Sequence, residues 1–167
     1  MKISGYKLRE ALRNKRTLRD VLATRFNETL FQFGEGTLPQ EVACNFCDAD
    51  QAVAMLEEAQ QFYNQQVTFV INSKRMTLTR AIKLVGGAGR LEKMWRSAAT
   101  DTGRDRYSHR ELTRKPDEVH AHRTVTVDES IKFAQQAARQ ASLLRSTIAE
   151  ANAREIEIEN LSPDLFE

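Results

Sequence analysis

The chain has 167 residues, 29% of them charged and 41% hydrophobic, a balance typical of a folded domain and not of a disordered chain. A formal net charge of +2 argues against gripping DNA or a membrane through the field of the whole molecule. No run approaches the roughly 20 apolar residues of a membrane helix, and residues 1–25 lack the apolar stretch of a secretion signal. We therefore expect a cytoplasmic protein without membrane contact, whose two cysteines are reduced.

The first predicted helix covers residues 5–33, because apolar residues recur along it at steps of three and four. Gly34-Glu35-Gly36 and Pro39 predict its end and a loop that continues to Cys47. Its predicted buried stripe comprises Leu8, Ala11, Leu12, Leu18, Leu22, Phe26, Leu30 and Phe33. Its opposite face is basic and carries Lys7, Arg9, Arg13, Lys15, Arg16, Arg19 and Arg25.

Two further helices are predicted in the middle of the chain. Asp48 is a favourable N-cap for helix two, whose apolar stripe continues through Val70 and Ile71. A short turn at residues 72–75 then leads to helix three, with Thr77 or Thr79 as its cap. Residues 86–89 of helix three read Gly-Gly-Ala-Gly, and each interior glycine costs about 1 kcal/mol relative to alanine. Close approach of another backbone is the expected compensation, and a bend of the helix at this point is the alternative.

The last helix is predicted from a cap at Asp128 to about residue 155, after a long irregular segment at residues 101–126. Residues 156–167 form an acidic tail that alternates Ile and Glu, and the basic face of helix one is its expected docking site. The predicted fold is an all-α antiparallel bundle of four long helices, with a bundle domain at residues 1–155 and the tail as a separate part. Helices this long are expected to bury their stripes by self-association into a homo-oligomer.

Several short phrases resemble a family of small bacterial helical proteins labelled septicolysin-like. They are Leu8-Arg9-Glu10-Ala11-Leu12, Val70-Ile71-Asn72 with the following residues 77–82, Asp105-Arg106-Tyr107-Ser108 with Glu111-Leu112, Thr124-Val125-Thr126-Val127, and residues 148–152. The resemblance implies a helical fold with a long helical hairpin and brings no activity with it. Membrane lysis, which the family label suggests, is not expected, because no segment of the sequence is suited to spanning a bilayer.

Two cysteines and two histidines form the first candidate site. Cys44 and Cys47 have C-x-x-C spacing, and His120 and His122 would share one face of an extended chain. If the bundle runs up and down, both pairs lie at the same end of it and could make a closed Cys2His2 zinc site. Buried cysteines with solvated histidines, or a redox-active cysteine pair, remain open alternatives.

Arginines dominate the second candidate site, in the segment between helices three and four. Guanidinium groups match the geometry of phosphate and carboxylate, and a tyrosine among them can stack on a base. The alternative is a solvated loop whose arginines pair with neighbouring carboxylates. The predicted anion-binding residues are Arg104, Arg106, Tyr107, Arg110 and Arg123.

No catalytic motif stands out: the sequence has no nucleophile elbow, phosphate-binding glycine loop or metalloprotease helix. The leading interpretation is therefore a non-enzymatic oligomer that senses or sequesters a small anionic, nucleotide-like ligand, with no cofactor beyond the candidate zinc. A structural or protein-interaction module without a small ligand is the alternative. Nucleic-acid binding through the basic face of helix one is a further alternative, weakened by the near-neutral charge and the absence of aromatics there.

Overall fold

The computed structural model describes residues 1–31, 36–101, 123–159 and 161–166, and within them the chain forms four long α-helices. The predicted all-α class is confirmed, with two small two-stranded sheets added. None of the helices in these ranges combines the length and apolar content needed to cross a membrane. The elements are β1 (Lys2–Ser4), α1 (Gly5–Glu28), α2 (Pro39–Gln66), β2 (Thr68–Ile71), β3 (Lys74–Thr77), α3 (Leu78–Thr100), α4 (Val127–Ala153), β4 (Glu155–Glu157) and a 3-10 turn at Pro163–Phe166.

The chain divides into two compact units. The first combines Met1–Arg80 with Ile148–Glu167, and the second is Ala81–Thr147. The first unit therefore joins the two ends of the chain, and the boundary predicted at residue 155 does not coincide with this division.

In the first unit, α1 and α2 form an antiparallel hairpin. Gly5 lies beside Tyr63 at one end, while Leu22, Val42 and Ala49 share a small core at the other. Helix α1 ends at Glu28 and not at the predicted Phe33, because Thr29 closes the last turn by donating its hydroxyl proton to the carbonyl of Phe26 at 2.7 Å. The stripe of α1 is buried at Leu8, Ala11, Leu12 and Leu22, whereas Leu18, Phe26 and Leu30 are exposed, contrary to the prediction.

Helix α2 begins ten residues earlier than predicted, at Pro39 instead of after a cap at Asp48. Proline fits the first position of a helix, since its φ is helical and its missing N–H would have no partner there. The interpretation of Pro39 as a residue that prevents the helix from restarting was therefore wrong. Consequently Cys44 and Cys47 lie on a helix and not in a loop.

A β-hairpin replaces the predicted end of helix two. Helix α2 stops at Gln66, and Val70 and Ile71 belong to β2, which pairs antiparallel with β3. Asn72 and Ser73 both have positive φ, 49° and 63°, as a two-residue hairpin turn requires. Val67 and Phe69 are both buried, as alternate residues of a strand are. The alternation of apolar and polar residues at 67–69 is the sequence signal that the helical interpretation missed.

The first residues of the acidic tail pair with the amino-terminal strand, whereas its last turn, Pro163–Phe166, contacts α1. Strand β4 pairs antiparallel with β1, which sets Lys2 opposite Glu157 and Ile3 opposite Ile156. Ile3 is fully buried, and Ile158 exchanges backbone hydrogen bonds with Met1. Alternation of Ile and Glu has the period of a strand, and that period governs the packing of this segment more than its charge does.

Helices α3 and α4 each begin with a threonine cap. Thr77 accepts a hydrogen bond from the N–H of Arg80, as predicted. Helix α4 is capped by Thr126 and not by Asp128, through a capping box in which Thr126 accepts from the N–H of Glu129 while the Glu129 carboxylate accepts from Thr126. The backbone N–H and the hydroxyl of Thr126 both donate to the Glu129 carboxylate, and these two hydrogen bonds lower the pKa of Glu129.

The glycine run of α3 lacks the close backbone neighbour that we expected. Among the described residues, a Cβ placed on Gly87 or Gly89 would meet nothing within 4 Å, and one on Gly86 would meet only the end of the Arg90 side chain, at 3.5 Å. The expectation of close packing at these positions was therefore wrong for the chain by itself.

Candidate functional site

At one end of the α1–α2 hairpin, a buried tyrosine hydroxyl lies within hydrogen-bond distance of backbone carbonyls at the end of α4 and just after it. Tyr63 is fully buried, and its hydroxyl lies 2.9 Å and 2.7 Å from the backbone carbonyls of Ala151 and Arg154, to which it can donate. Gly5 passes so close that a Cβ there would lie 2.5 Å from Asn152 Oδ1 and 2.7 Å from Tyr63 Cε1. Burial raises the pKa of Tyr63 above its ordinary value of 10.0. We call this region the closed end, and its close packing indicates a structural role.

The other end of the hairpin exposes large apolar side chains. Leu22, Val42 and Ala49 form a core against which Phe46 packs. Beyond that core, four large apolar side chains of the described residues are open to solvent, in the last turn of α1, directly after it and just before α2. These four are Phe26, Leu30, Phe31 and Leu38, with Phe31 91% and Leu38 64% exposed. We call this end the hairpin tip; an apolar cluster there is typical of an interaction surface.

Two exposed cysteines lie on α2 close to the tip. Cys44 and Cys47 are both free, and they follow the start of α2 at Pro39 by five and eight residues. Val42 and Ala49, on the same helix, are buried towards α1. Residues two and five positions after Val42 lie about 200° and 140° further around the helix, so the cysteines occupy the face opposite α1.

The predicted zinc site combines two cysteines of α2 with two histidines of the segment after α3. His120 and His122 lie outside the described residues, so the Cys2His2 arrangement stays a prediction. Within the described ranges, no cluster of three or more His, Cys, Asp or Glu side chains is arranged to hold a metal. There, Cys44 and Cys47 supply two ligands of the four that structural zinc takes.

Part of the basic face of α1 is neutralised by α2. Arg16 forms an ion pair with Glu57, and Arg19 pairs with Asp20 and, at 3.3 Å, with Asp50 of α2. Hydrogen bonds from Arg19 to the two aspartates raise the pKa of its guanidinium further. Exposed pairs of this kind contribute little stability, but they reduce the positive charge that nucleic acid would meet.

The predicted anion site lies mainly outside the described residues, where Arg104, Arg106, Tyr107 and Arg110 fall. Arg123 is described, and its guanidinium donates to the backbone carbonyls of Ala98, Asp101 (3.0 Å) and Val125. Arg123 therefore caps the carboxyl end of α3, where a cation is favoured by the helix dipole. Its role in anion binding stays a prediction.

Near this cap, one aromatic pair joins the two long helices of the second unit. The rings of Trp95 on α3 and Phe133 on α4 lie 4.7 Å apart between centroids, with an angle of 38° between their planes. Phe133 remains 42% exposed. The pair therefore offers an aromatic surface in the same unit as Arg123.

An open depression of about 460 Å³ on α1 offers little enclosure for a small ligand. It is lined along a single helix, by Thr17, Asp20, Val21, Thr24, Arg25 and Glu28. A site for a small molecule usually buries most of its ligand between several elements. We therefore do not assign a ligand to this depression.

The hairpin tip is the feature that sequence reasoning missed. Phe26 and Leu30 continue the apolar spacing of α1 and were therefore expected in the core. Helix α1 ends at Glu28, so the residues that follow leave the helical stripe. Gly34 and Gly36 were the available signal, since glycines so close to the end of an apolar stripe indicate that its last residues belong to a turn.

No protein-family model, curated protein or solved structure matches the chain. The resemblance to septicolysin-like proteins accordingly stays a prediction.

Proposed function

We propose that the protein is a non-enzymatic homo-oligomer of helical hairpins, in which copies cover one another's exposed apolar side chains. The exposed hairpin tip is the observation that carries this proposal: Phe31 and Leu38 are 91% and 64% exposed. Large apolar side chains that a folded chain leaves exposed at one end are available for protein–protein contacts.

The exposure of large apolar residues along four helices supports the same proposal. Leu18, Phe62, Leu91 and Ile131 occupy helical apolar stripes, yet each is 42% to 45% exposed. A stripe that the chain leaves uncovered is available to another copy, and burying apolar surface contributes about 25 cal/mol per Å². Association therefore has a driving force on several helices.

The test is the mass of the native protein, compared with that of a tip variant. We expect the wild type to have a native mass that is a multiple of the chain mass of 19.1 kDa. Replacing Leu30 and Phe31 with serine should lower the mass, because these side chains lie at the proposed contact. Asn27→Ser, at another exposed position near the same end, is the matched control and should keep the wild-type mass. A wild type that is monomeric at all concentrations tested would refute the proposal.

A ligand-binding role is the second part of the proposal. The observation that favours it is the arginine-rich sequence that contains Arg104, Arg106 and Arg110. This sequence lies between the end of α3 and Arg123, the residue that caps α3. Guanidinium groups bind phosphate through paired hydrogen bonds, and Tyr107 can stack on a base. We propose that this segment binds a small anionic, nucleotide-like ligand in the cytoplasm, and that the oligomer senses or sequesters it.

Thermal stabilisation by ATP, ADP and inorganic triphosphate tests ligand binding. Wild-type protein should melt at a higher temperature with at least one of these probes, since a ligand that binds the native state stabilises it. Arg106→Ala with Arg110→Ala should abolish the shift. Arg139→Ala with Arg145→Ala removes two exposed arginines from α4 and should leave it unchanged. Equal shifts in both double variants would contradict the assignment.

A further inference from the structure

The outward face of α2 presents a pair of thiols. Cys44 and Cys47 are exposed, free and three residues apart on one helix. Positions i and i+3 are neighbours on a helix surface, with Cβ atoms about 5–6 Å apart. Two side chains so placed can bind one metal ion together, with sulfur–zinc bonds of about 2.3 Å.

The described part of the chain supplies only half of a zinc coordination shell at this position. Structural zinc is four-coordinate and tetrahedral, and thiolate is among its preferred ligands. In these ranges no third His, Cys, Asp or Glu is arranged with the cysteine pair to hold a metal. A second copy related by a two-fold axis would present the same pair and complete the set, because a two-fold contact brings the same surface together twice.

The surroundings of the pair are acidic on α2 and apolar at the nearby hairpin tip. Asp48 follows Cys47 directly and is exposed, as is Glu41, half a turn from the start of the helix. Two copies that approach through this face bring these carboxylates together, and the zinc–thiolate bonds must exceed that repulsion. The exposed Leu38 and Phe31 of the nearby tip supply apolar surface for the same approach.

We propose that Cys44 and Cys47 of two copies bind one Zn²⁺ as a tetrathiolate site that joins two hairpin tips. This inference rests on the proposed self-association and names the residues and metal of one contact within it. On binding, four S–H bonds break, four Zn–S bonds form, and four protons pass to the solvent. No oxidation state changes, and the thiols must be reduced beforehand.

The experiment is a zinc titration of the full chain, stripped with a chelator and reduced with a phosphine, followed by native mass spectrometry. Zinc uptake should saturate at one ion for every two chains, and the zinc should be found only in species with at least two copies. Cys44→Ser with Cys47→Ser should abolish this uptake. Gln51→Ser, on the same exposed face of α2, is the matched control and should bind as the wild type does. Co²⁺ used in place of zinc should give the strong visible and thiolate charge-transfer absorption of a tetrahedral sulfur site.

Two outcomes would overturn the zinc bridge. One is saturation at one ion per chain without a change of native mass, abolished by His120→Ala with His122→Ala, which would establish a site within one chain. The other is no uptake beyond that of the cysteine double variant.

The failure of the bridge is distinguishable from the failure of self-association. If chelated wild-type protein has a multiple of the chain mass but takes up no zinc, the bridge is refuted and the oligomer stands. If chelated protein is monomeric and zinc alone produces two-copy species, the bridge stands and association through apolar surface is refuted.

Discussion

The two ends of the α1–α2 hairpin differ in how far their large apolar and aromatic side chains are buried. At the closed end, Tyr63 and Ile3 are fully buried, and the hydroxyl of Tyr63 lies within hydrogen-bond distance of two backbone carbonyls. At the hairpin tip, Phe31 and Leu38 are largely exposed, although they are as apolar as the core. The contrast indicates that the closed end serves stability within one chain, whereas the tip is available for contacts with another. Substitutions at the two ends should therefore differ in both size and kind of effect.

The largest effect is expected at the sheet of the closed end. Ile3→Ala should lower the free energy of unfolding by about 2–5 kcal/mol, since it removes a fully buried side chain and leaves a cavity. Denaturant unfolding followed by circular dichroism measures this loss. Leu38→Ala at the tip is the control, and for the dilute chain it should change the same quantity by less than about 0.5 kcal/mol. Equal losses at both ends would abolish the distinction drawn between them.

Gly5→Ala should lower the free energy of unfolding by about 1–3 kcal/mol, because overpacking forces neighbouring atoms to move. The added Cβ would lie 2.5 Å from Asn152 Oδ1 and 2.7 Å from Tyr63 Cε1. Thermal and denaturant unfolding report the change. A more stable Gly5→Ala variant would show that the closed end has room that the structure does not indicate.

Tyr63→Phe should cost about 1–2 kcal/mol, since it removes a buried hydroxyl that can donate to Ala151 and Arg154. The folded-state pKa of Tyr63 is raised above 10.0, so its contribution is complete below pH 10.0 and is lost as pH rises through the folded-state pKa. The stability of the wild type should accordingly fall towards that of the variant in strongly alkaline solution. A difference between the two that stays constant from pH 8 to beyond the titration would contradict this assignment.

Gly87→Ala is expected to raise stability by about 1 kcal/mol, the opposite sign to Gly5→Ala. A Cβ at Gly87 meets no atom of the described part of the chain within 4 Å, so the helix gains propensity without a clash there. The melting temperature of the dilute protein measures the gain. Destabilisation would indicate that another copy packs against this part of α3.

The smallest effect on the dilute chain is expected at the hairpin tip. Phe31→Ser should change the free energy of unfolding by less than about 0.5 kcal/mol when the protein is monomeric, because the side chain is 91% exposed. At higher concentration, the wild type should become more stable through association, and the variant less so. Concentration-dependent melting that is identical in both proteins would remove Phe31 from the proposed contact.

Much of the helical content followed from local pattern. The spacing of Leu8, Ala11 and Leu12 predicted α1, because a 3.6-residue period is a property of the sequence alone, and the buried alanines among residues 134–141 of α4 have the same spacing. The residues at which helices begin were harder to predict from the sequence. Pro39 and Asp48 are both compatible with the first turn of a helix, and the earlier start prevailed because Val42 could be buried against α1.

For the candidate sites too, the sequence indicated the chemistry of the residues, whereas their position depended on the tertiary structure. The sequence supplied the chemistry of Cys44 and Cys47, a pair of soft ligands at close spacing, but placed them in a loop. Their exposure on the face of α2 away from α1 depends on where that helix begins and what it packs against. Arg123 is similar: its charge was evident, whereas its hydrogen bonds to Ala98 and Asp101 depend on where α3 ends.

By itself, the sequence determined the all-α class and the four long helices, because periodicity and helix propensity act over a few turns. Only the tertiary structure decided that the acidic tail pairs with Lys2–Ser4, since β-pairing between residues more than 150 positions apart depends on the elements that bring them together. It also decided which apolar residues stay exposed, since burial requires a neighbour and a helical stripe indicates only its own face. For Phe31 and Leu38 the described part of the chain provides too little cover, and this is the physical reason to look for a second copy.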